Sequence, residues 1–388
     1  SVEGTTRRLV NQTLSILSWA AQTDTSGQPV GQLGHSMATD VIIRAADEVG
    51  QPAGPIVALS AFSGAVTPTE PANLLMIAGE WEARLREFGV DAVQMVQPTA
   101  SEGDLIETPN LQRQATIAPK VEHVGILYSQ TAQSRALDWF NTFYQRTQTV
   151  PPLTIGPWLL VLLGCLVVLG RRVVQRPARE GPRVSGLRPW QIAVCLAVPA
   201  VVAPGISVLI DIDALPVLVA DYLLVHLALY GVTLLGLLWV FGVCPGRIHP
   251  LASAVLAAWG IAVFGLALHR YGANFWPAGP RVLIVAALII GAVPFAIADA
   301  MLTYGRAWWL RAMVRVTFVG SLMLAVALDF DRLFFLVLIA PIILLFFAIF
   351  GPLGRWASQS SGPLTAGLGL GAILAWALGV TFPLFEAV

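Results

Sequence analysis

Charge is what this chain has least of. Only 12% of its 388 residues are Asp, Glu, Lys or Arg, against roughly 25% in a soluble globular domain. With 56% hydrophobic residues and a mean hydropathy of +0.72, a single soluble fold is excluded. The 23 basic and 23 acidic residues cancel, and no Lys/Arg run is interleaved with aromatics, so a nucleic-acid partner has no support in the sequence. Cysteine is equally scarce. Cys165, Cys195 and Cys244 each sit in an apolar stretch with neither CxxC spacing nor a partner pattern, which leaves no disulfide framework, no metal site and no cofactor motif, and reads as inert packing. Ser1 is preceded by no Met and followed by no basic, apolar leader; a processed start or a fragment is expected.

What the chain has instead is long apolar runs, all after Thr149. A bilayer core of about 30 Å takes roughly 20 helical residues. Runs of that length predict eight spans at about 153–170, 190–210, 217–243, 251–268, 282–303, 313–328, 333–350 and 364–386. The division at Asp329-Phe330-Asp331-Arg332 rests on a short polar break read as a tight hairpin, and seven spans is the alternative. Residues 149–388 are thus an all-α transmembrane domain.

Arginine is unevenly shared among the loops. The loop after the first span carries Arg171, Arg172, Arg176, Arg179, Arg183 and Arg188, and alternate loops add Arg247, then Arg306, Arg311 and Arg315, then Arg355. The opposite set offers Arg270, Arg281 and Arg332. Basic loops stay cytoplasmic, so residues 1–150 are expected outside the cytoplasm, on the side of the acidic Asp211-Ile212-Asp213 turn. Asp221, His226 and Asp299 lie within or near spans; a proton relay is one reading, snorkelling or a bond to a neighbouring helix the other. Gly367, Gly369 and Gly371 suggest close helix packing.

The first 148 residues are a different kind of sequence. Leu9, Leu14, Ile16, Leu17 and Trp19 mark an amphipathic helix over about 4–21. Val30 to Leu33 reads as a short strand running into Gly34-His35-Ser36-Met37-Ala38, and Thr39 to Val49 as a helix. A strand, G-x-S-x-small and a helix are the context of a nucleophile elbow, in which residues two before and two after the serine must be small. Two buried-type strands follow, Pro55–Ser60 and Asn73–Ala78, the second leading into Gly79-Glu80-Trp81-Glu82. Gln114–Ala118 reads as another strand with Val121-Glu122-His123-Val124 in the loop after it, and Ser129–Tyr144 as a closing helix.

GHSMA, LLMIAGEWE and VEHVGILYS, followed by a helix containing ALDWF, together resemble the C-terminal half of the α/β-hydrolase superfamily, over about residues 1–147. The closer likeness is to bacterial membrane-anchored α/β-hydrolases with a multi-span tail. The resemblance implies an α/β domain with a mostly parallel sheet, Ser36 as nucleophile, His123 as general base and Glu82 as triad acid, with Glu80 the alternative acid. It also implies an oxyanion donor at the Met37 N–H. Family strands usually end in Gly, two residues, then the acid, which favours Glu82. Plainer roles stand beside these: Ser36 as a helix N-cap, His123 as a loop histidine, Glu80 and Glu82 as solvated helix-start charges, and His35 as a structural or pocket-wall residue.

The expected function is a membrane-bound serine hydrolase, esterase- or lipase-like, acting without a cofactor on a small-molecule acyl or lipid substrate at the outer face of a bacterial inner membrane. The alternative is a transporter or membrane scaffold with a non-catalytic hydrolase-like domain. The resemblance further implies strands upstream of residue 1. The only histidine in residues 1–35 is His35, so the motif that supplies a second oxyanion donor is missing there. Weak hydrolysis by this chain alone, an open edge on the elbow strand, and rescue by an upstream segment are expected.

Overall fold

The computed structural model describes residues 2–24, 26–49, 53–151, 155–175, 186–210, 219–243, 246–271 and 281–381, with positions 212, 214, 215, 217, 275–277 and 279 between them. Arg176, Arg179, Arg183, Asp211, Asp213 and Cys244 lie outside the described residues. The chain divides into two compact units between residues 154 and 155, six residues beyond the boundary expected at 148; residues 146–151 after the closing helix are neither helix nor strand.

The first unit is a mixed α/β sheet with helices on both faces. Its elements are α1 (Val2–Thr23), β1 (Gln32–His35), α2 (Met37–Glu48), β2 (Ile56–Leu59), β3 (Asn73–Gly79), α3 (Ala83–Gln94), β4 (Leu105–Thr108), β5 (Leu111–Ala118) and α4 (Gln130–Tyr144). The sheet order is β1-β2-β3-β5-β4, parallel except for the β4–β5 hairpin. β2 is buried along its whole length, and β3 along all but its first residue, as central parallel strands covered on both faces require. Period-two alternation sends Ile56, Ala58, Leu74 and Met76 to one face, against Ile42 and Ile43 of α2 and Ala92 and Val93 of α3. Val57, Leu59, Leu75 and Ile77 go to the other, against Ala132, Ala136 and Trp139 of α4. The amphipathic α1 buries Val10 and Leu17 against Val41 and Ala45 of α2.

β1 starts two residues later than Val30 and forms a sheet edge among the described residues. β4 and α3 complete the unit. β4 carries one buried side chain, Ile106, too little alternation to read as a strand, and its pairing with β5 across Thr108–Leu111 supplies the hydrogen bonds that its sequence does not advertise.

The second unit is helical: α5 (Ile155–Val174), α6 (Pro189–Ser207), α7 (Ala220–Val240), α8 (Pro250–Ala258), α9 (Phe264–Tyr271), α10 (Arg281–Thr303), α11 (Trp308–Leu328), α12 (Phe330–Leu333), α13 (Leu336–Ser361) and α14 (Pro363–Thr381). A π-helical turn, Trp259–Val263, joins α8 and α9 into one run. Among the described residues the unit thus has eight helices long and apolar enough to cross a membrane. The polar break at Asp329 is the single turn α12, where the Asp329 side chain accepts the Arg332 N–H.

Several ends differ from the expected ones. α5 runs to Val174 rather than 170, so Arg171 and Arg172 stand in its last turn instead of in the loop. α11 begins at Trp308 rather than 313, so Arg311 and Arg315 stand in its first two turns instead of in a loop. α13 runs on to Ser361 rather than stopping at 350, through Pro341 and Pro352 and past Arg355. Packed apolar helices tolerate internal proline because neighbours and local adjustment take up the freed backbone groups. α14 is the most buried of the spans. A Cβ at Gly367 or Gly371 would come within 2.4 or 2.6 Å of the α10 backbone, so these glycines set the close approach of α14 to α10.

Candidate active site

The C-terminal ends of β1, β3 and β5 carry three loops to one edge of the sheet. In open α/β sheets this is where binding sites form. Ser36 follows β1, Glu82 follows β3 by three residues, and His123 follows β5 by five. The loops converge on an unbroken chain of hydrogen bonds. Ser36 Oγ lies 2.8 Å from His123 Nε2, and His123 Nδ1 lies 2.6 Å from Glu82 Oε1. With Nδ1–H donated to the carboxylate, Nε2 is left as the acceptor for the serine hydroxyl.

Each member is held by its surroundings. Ser36 has φ 56° and ψ −127° and makes no side-chain cap bond to α2, so it occupies the N-cap position without the usual capping role. That left-handed φ is costly for a non-glycine residue and persists only where neighbours enforce it. Here the Ser36 N–H is tied to Leu59 O at 2.9 Å, and the buried Thr39 hydroxyl donates to Ser36 O at 2.7 Å and accepts Phe62 N–H at 3.2 Å. Gly34 shows why the elbow demands small residues: a Cβ there would lie 3.0 Å from Ala38 O and 2.9 Å from Ile42 Cδ1.

Glu82 is more enclosed than His123. The Glu82 side chain is 6% exposed and that of His123 39%. Both Glu82 oxygens are satisfied, Oε1 by His123 and Oε2 by the Ser60 hydroxyl at 2.7 Å and the Gly79 N–H at 2.6 Å. Glu80, the alternative acid, turns away and accepts the Lys120 N–H at 2.7 Å. Gly79 also admits the histidine loop, since a Cβ there would come 2.6 Å from Val121 O. His35 Nε2 meets His123 O at 2.7 Å. Burial first, then the neighbouring His123 charge, hold the His35 pKa below its ordinary value, against the opposing pull of that hydrogen bond and of Glu82 and Glu122.

The sequence does not mark Thr39 or Ser60, and it marks Gly79 only as the end of its strand. Ser60 sits at the end of β2 with φ 51°, and a polar residue closing an otherwise apolar strand is the one signal that could have marked it. Met37, the residue after Ser36, opens α2, which puts its N–H at the positive end of a helix. Among the described residues no group of three or more His, Cys, Asp or Glu side chains is placed to hold a metal.

No protein-family model matches this chain, and no curated protein or solved structure is significantly similar to it.

Proposed function

We propose that residues 1–148 form the C-terminal part of an α/β-hydrolase fold, and that the chain is a membrane-bound serine hydrolase acting on an ester or related acyl bond. The observation that carries this reading is the hydrogen-bonded line Ser36–His123–Glu82. Three features support it: the strained serine at a strand-to-helix turn, the order Ser, acid, His along the chain, and the origin of all three at the C-terminal ends of parallel strands.

The chemistry follows the geometry. As Ser36 Oγ bonds to the acyl carbon, its proton passes to His123 Nε2 and the carbonyl electron pair moves onto oxygen. Glu82 holds the imidazole tautomer and stabilises the imidazolium. The Met37 N–H meets the oxyanion. Collapse of the tetrahedral species expels the alcohol, which takes the proton from Nε2 and leaves Ser36 acylated. Water then repeats the sequence, giving one proton to His123 as its oxygen attacks the acyl carbon, and the acid departs as Ser36 regains its hydrogen.

Met37, Trp81 and Val124, next in sequence to Ser36, Glu82 and His123, are all exposed apolar side chains. An apolar acyl chain suits them better than a charged one. The proposal extends to a multi-pass location in a bacterial inner membrane; the arginine bias of alternate loops supports an orientation with this unit outside the cytoplasm.

A fluorophosphonate probe tests the reading. The full chain is labelled once, at Ser36, and Ser36→Ala is not labelled while its circular dichroism is unchanged; undiminished labelling of that variant removes Ser36 from the site. For the compartment, a cysteine placed at Gly186 is shielded from an impermeant thiol reagent in spheroplasts and one placed at Gly103 reacts.

A further inference from the structure

In the helical unit a cavity of about 370 Å³ is lined by Asp299 of α10, Arg306 of the following loop, Arg311 and Arg315 of α11, and Arg355 of α13. Four guanidiniums face one carboxylate, a net lining charge of +3. Charge is costly within or beside a membrane span and is kept only where it is paired or used. One pair is made: Arg315 Nη2 lies 3.3 Å from Asp299 Oδ2, with the two side chains 19% and 6% exposed. Among the described residues no carboxylate pairs with Arg306, Arg311 or Arg355.

The pair is built and also incomplete. The Arg315 guanidinium lies 4.5 Å from the centre of the Phe347 ring and beneath Gly351, where a Cβ would stand 2.7 Å from Nη1. Its position is therefore fixed by packing rather than by the carboxylate alone. Yet Asp299 Oδ1 and Arg315 Nε are both buried without a hydrogen-bonding partner. Leaving such atoms unpaired is expensive. An unpaired acceptor beside several unpaired cationic donors defines its complement: an anion with several acceptor oxygens that also brings one donor.

We propose that this cavity binds a phosphate ester whose head carries a hydroxyl or ammonium group, with Arg306, Arg311, Arg315 and Arg355 on the phosphate oxygens and Asp299 on the donor. Guanidinium forks match phosphate geometry in a way that ammonium groups do not. The N-terminus of α11, which has no capping side chain, adds its positive end. Trp308, exposed and part of the cavity wall, is the residue type that settles at headgroup depth. The same chemistry is offered by a phospholipid headgroup and by a soluble glycerol phosphate.

Native mass spectrometry of the full chain released from nanodiscs of equal phosphatidylglycerol and phosphatidylcholine separates the two sources, with sn-glycerol 3-phosphate tested alone by thermal shift. A lipid site retains one phosphatidylglycerol per chain in preference to phosphatidylcholine, and Arg306→Gln and Arg355→Gln each weaken retention about tenfold, as loss of one charge-assisted bond does. A soluble-ligand site shows no lipid preference, but glycerol phosphate raises the melting temperature of the wild type and not of the double variant. These two arginines have no carboxylate partner among the described residues, so their removal spares the Asp299–Arg315 pair and the fold. Phosphatidylcholine retained as well as phosphatidylglycerol, together with no arginine-dependent effect of glycerol phosphate, overturns the proposal.

Discussion

Each unit of this protein contains one histidine hydrogen-bonded to one serine, and the two pairs have almost the same length. His123 Nε2 lies 2.8 Å from Ser36 Oγ, and His226 Nε2 lies 2.9 Å from Ser321 Oγ. Everything around them differs. Behind His123 stands a carboxylate whose second oxygen is anchored twice; behind His226 stands the neutral Tyr222 hydroxyl at 3.1 Å. His123 is partly open to solvent, whereas His226 is 0% exposed and walled by Tyr230 and Phe318. Ser321 donates to Phe318 O within its own helix at 2.7 Å, while Ser36 projects from a strained turn. A Ser–His contact is thus no more than a starting point. A carboxylate to fix the tautomer, access for a substrate and a backbone that presents the hydroxyl are what separate a nucleophile from interhelical glue.

The sharpest way to break this comparison is to delete each serine in turn. Ser36→Ala is expected to lower turnover of an acyl ester by at least about 10⁴-fold, as loss of a triad nucleophile does elsewhere. Ser321→Ala leaves turnover unchanged and costs about 0.6 kcal/mol of bundle stability, the typical size of a hydrogen bond between membrane helices. Steady-state ester hydrolysis and unfolding in mixed micelles measure the two effects, and equal losses of activity would erase the distinction.

Removing the carboxylate comes next in size. Glu82→Gln is expected to cost about 10³- to 10⁴-fold in kcat, since an amide cannot stabilise the imidazolium and permits the wrong tautomer. Glu80→Gln, whose carboxylate binds the Lys120 N–H instead, changes kcat by less than about twofold. An inverted pair of values would reassign the acid. Ser60→Ala removes one of two bonds to Glu82 Oε2 and acts only through the acid. We expect about a tenfold loss in kcat with KM unchanged, and an altered acid limb of the pH–rate profile distinguishes this positioning role from a structural one.

The smallest effect concerns His35. Its folded-state pKa is lowered, so the unfolded chain binds more protons between that value and the ordinary one near about 6.5, and stability rises with pH across that window. The first unit is therefore fully stable above about pH 6.5 and loses this contribution as the pH falls toward the folded-state value. Protection factors of the β2 and β3 amides, each corrected for the intrinsic exchange rate at that pH, should fall on acidification, and His35→Gln should flatten the response.

How much was legible follows from where each signal resides. That Ser36, Glu82 and His123 come together is legible because each belongs to a local pattern at the end of an apolar strand, and Gly34, Ser36 and Ala38 carry a steric rule in five residues. Eight apolar runs were readable from hydropathy alone. What was not legible depends on partners distant in sequence. Ser60 matters because of Glu82, Gly79 because the Val121 backbone comes to it, and β4 exists because β5 offers it an edge. The start of α11 and the end of α13 are not legible because Arg311, Arg315 and Arg355 read as loop residues by charge alone, whereas long guanidinium side chains on a helix can still reach a polar site. Asp299 stood out as an ionisable residue in a span, but its four cationic neighbours come from a loop and two other helices.

The central claim is that Ser36 carries the acyl group during turnover. The direct measurement is to mix the full chain with a long-chain p-nitrophenyl ester, quench with acid within the first turnover, and map the adduct by peptide mass. The account predicts one added acyl mass on the peptide containing Ser36, absent from Ser36→Ala and accumulating more in a variant slowed in deacylation. Ester hydrolysis without any acylated Ser36, or an adduct on another residue such as Ser321, would contradict it.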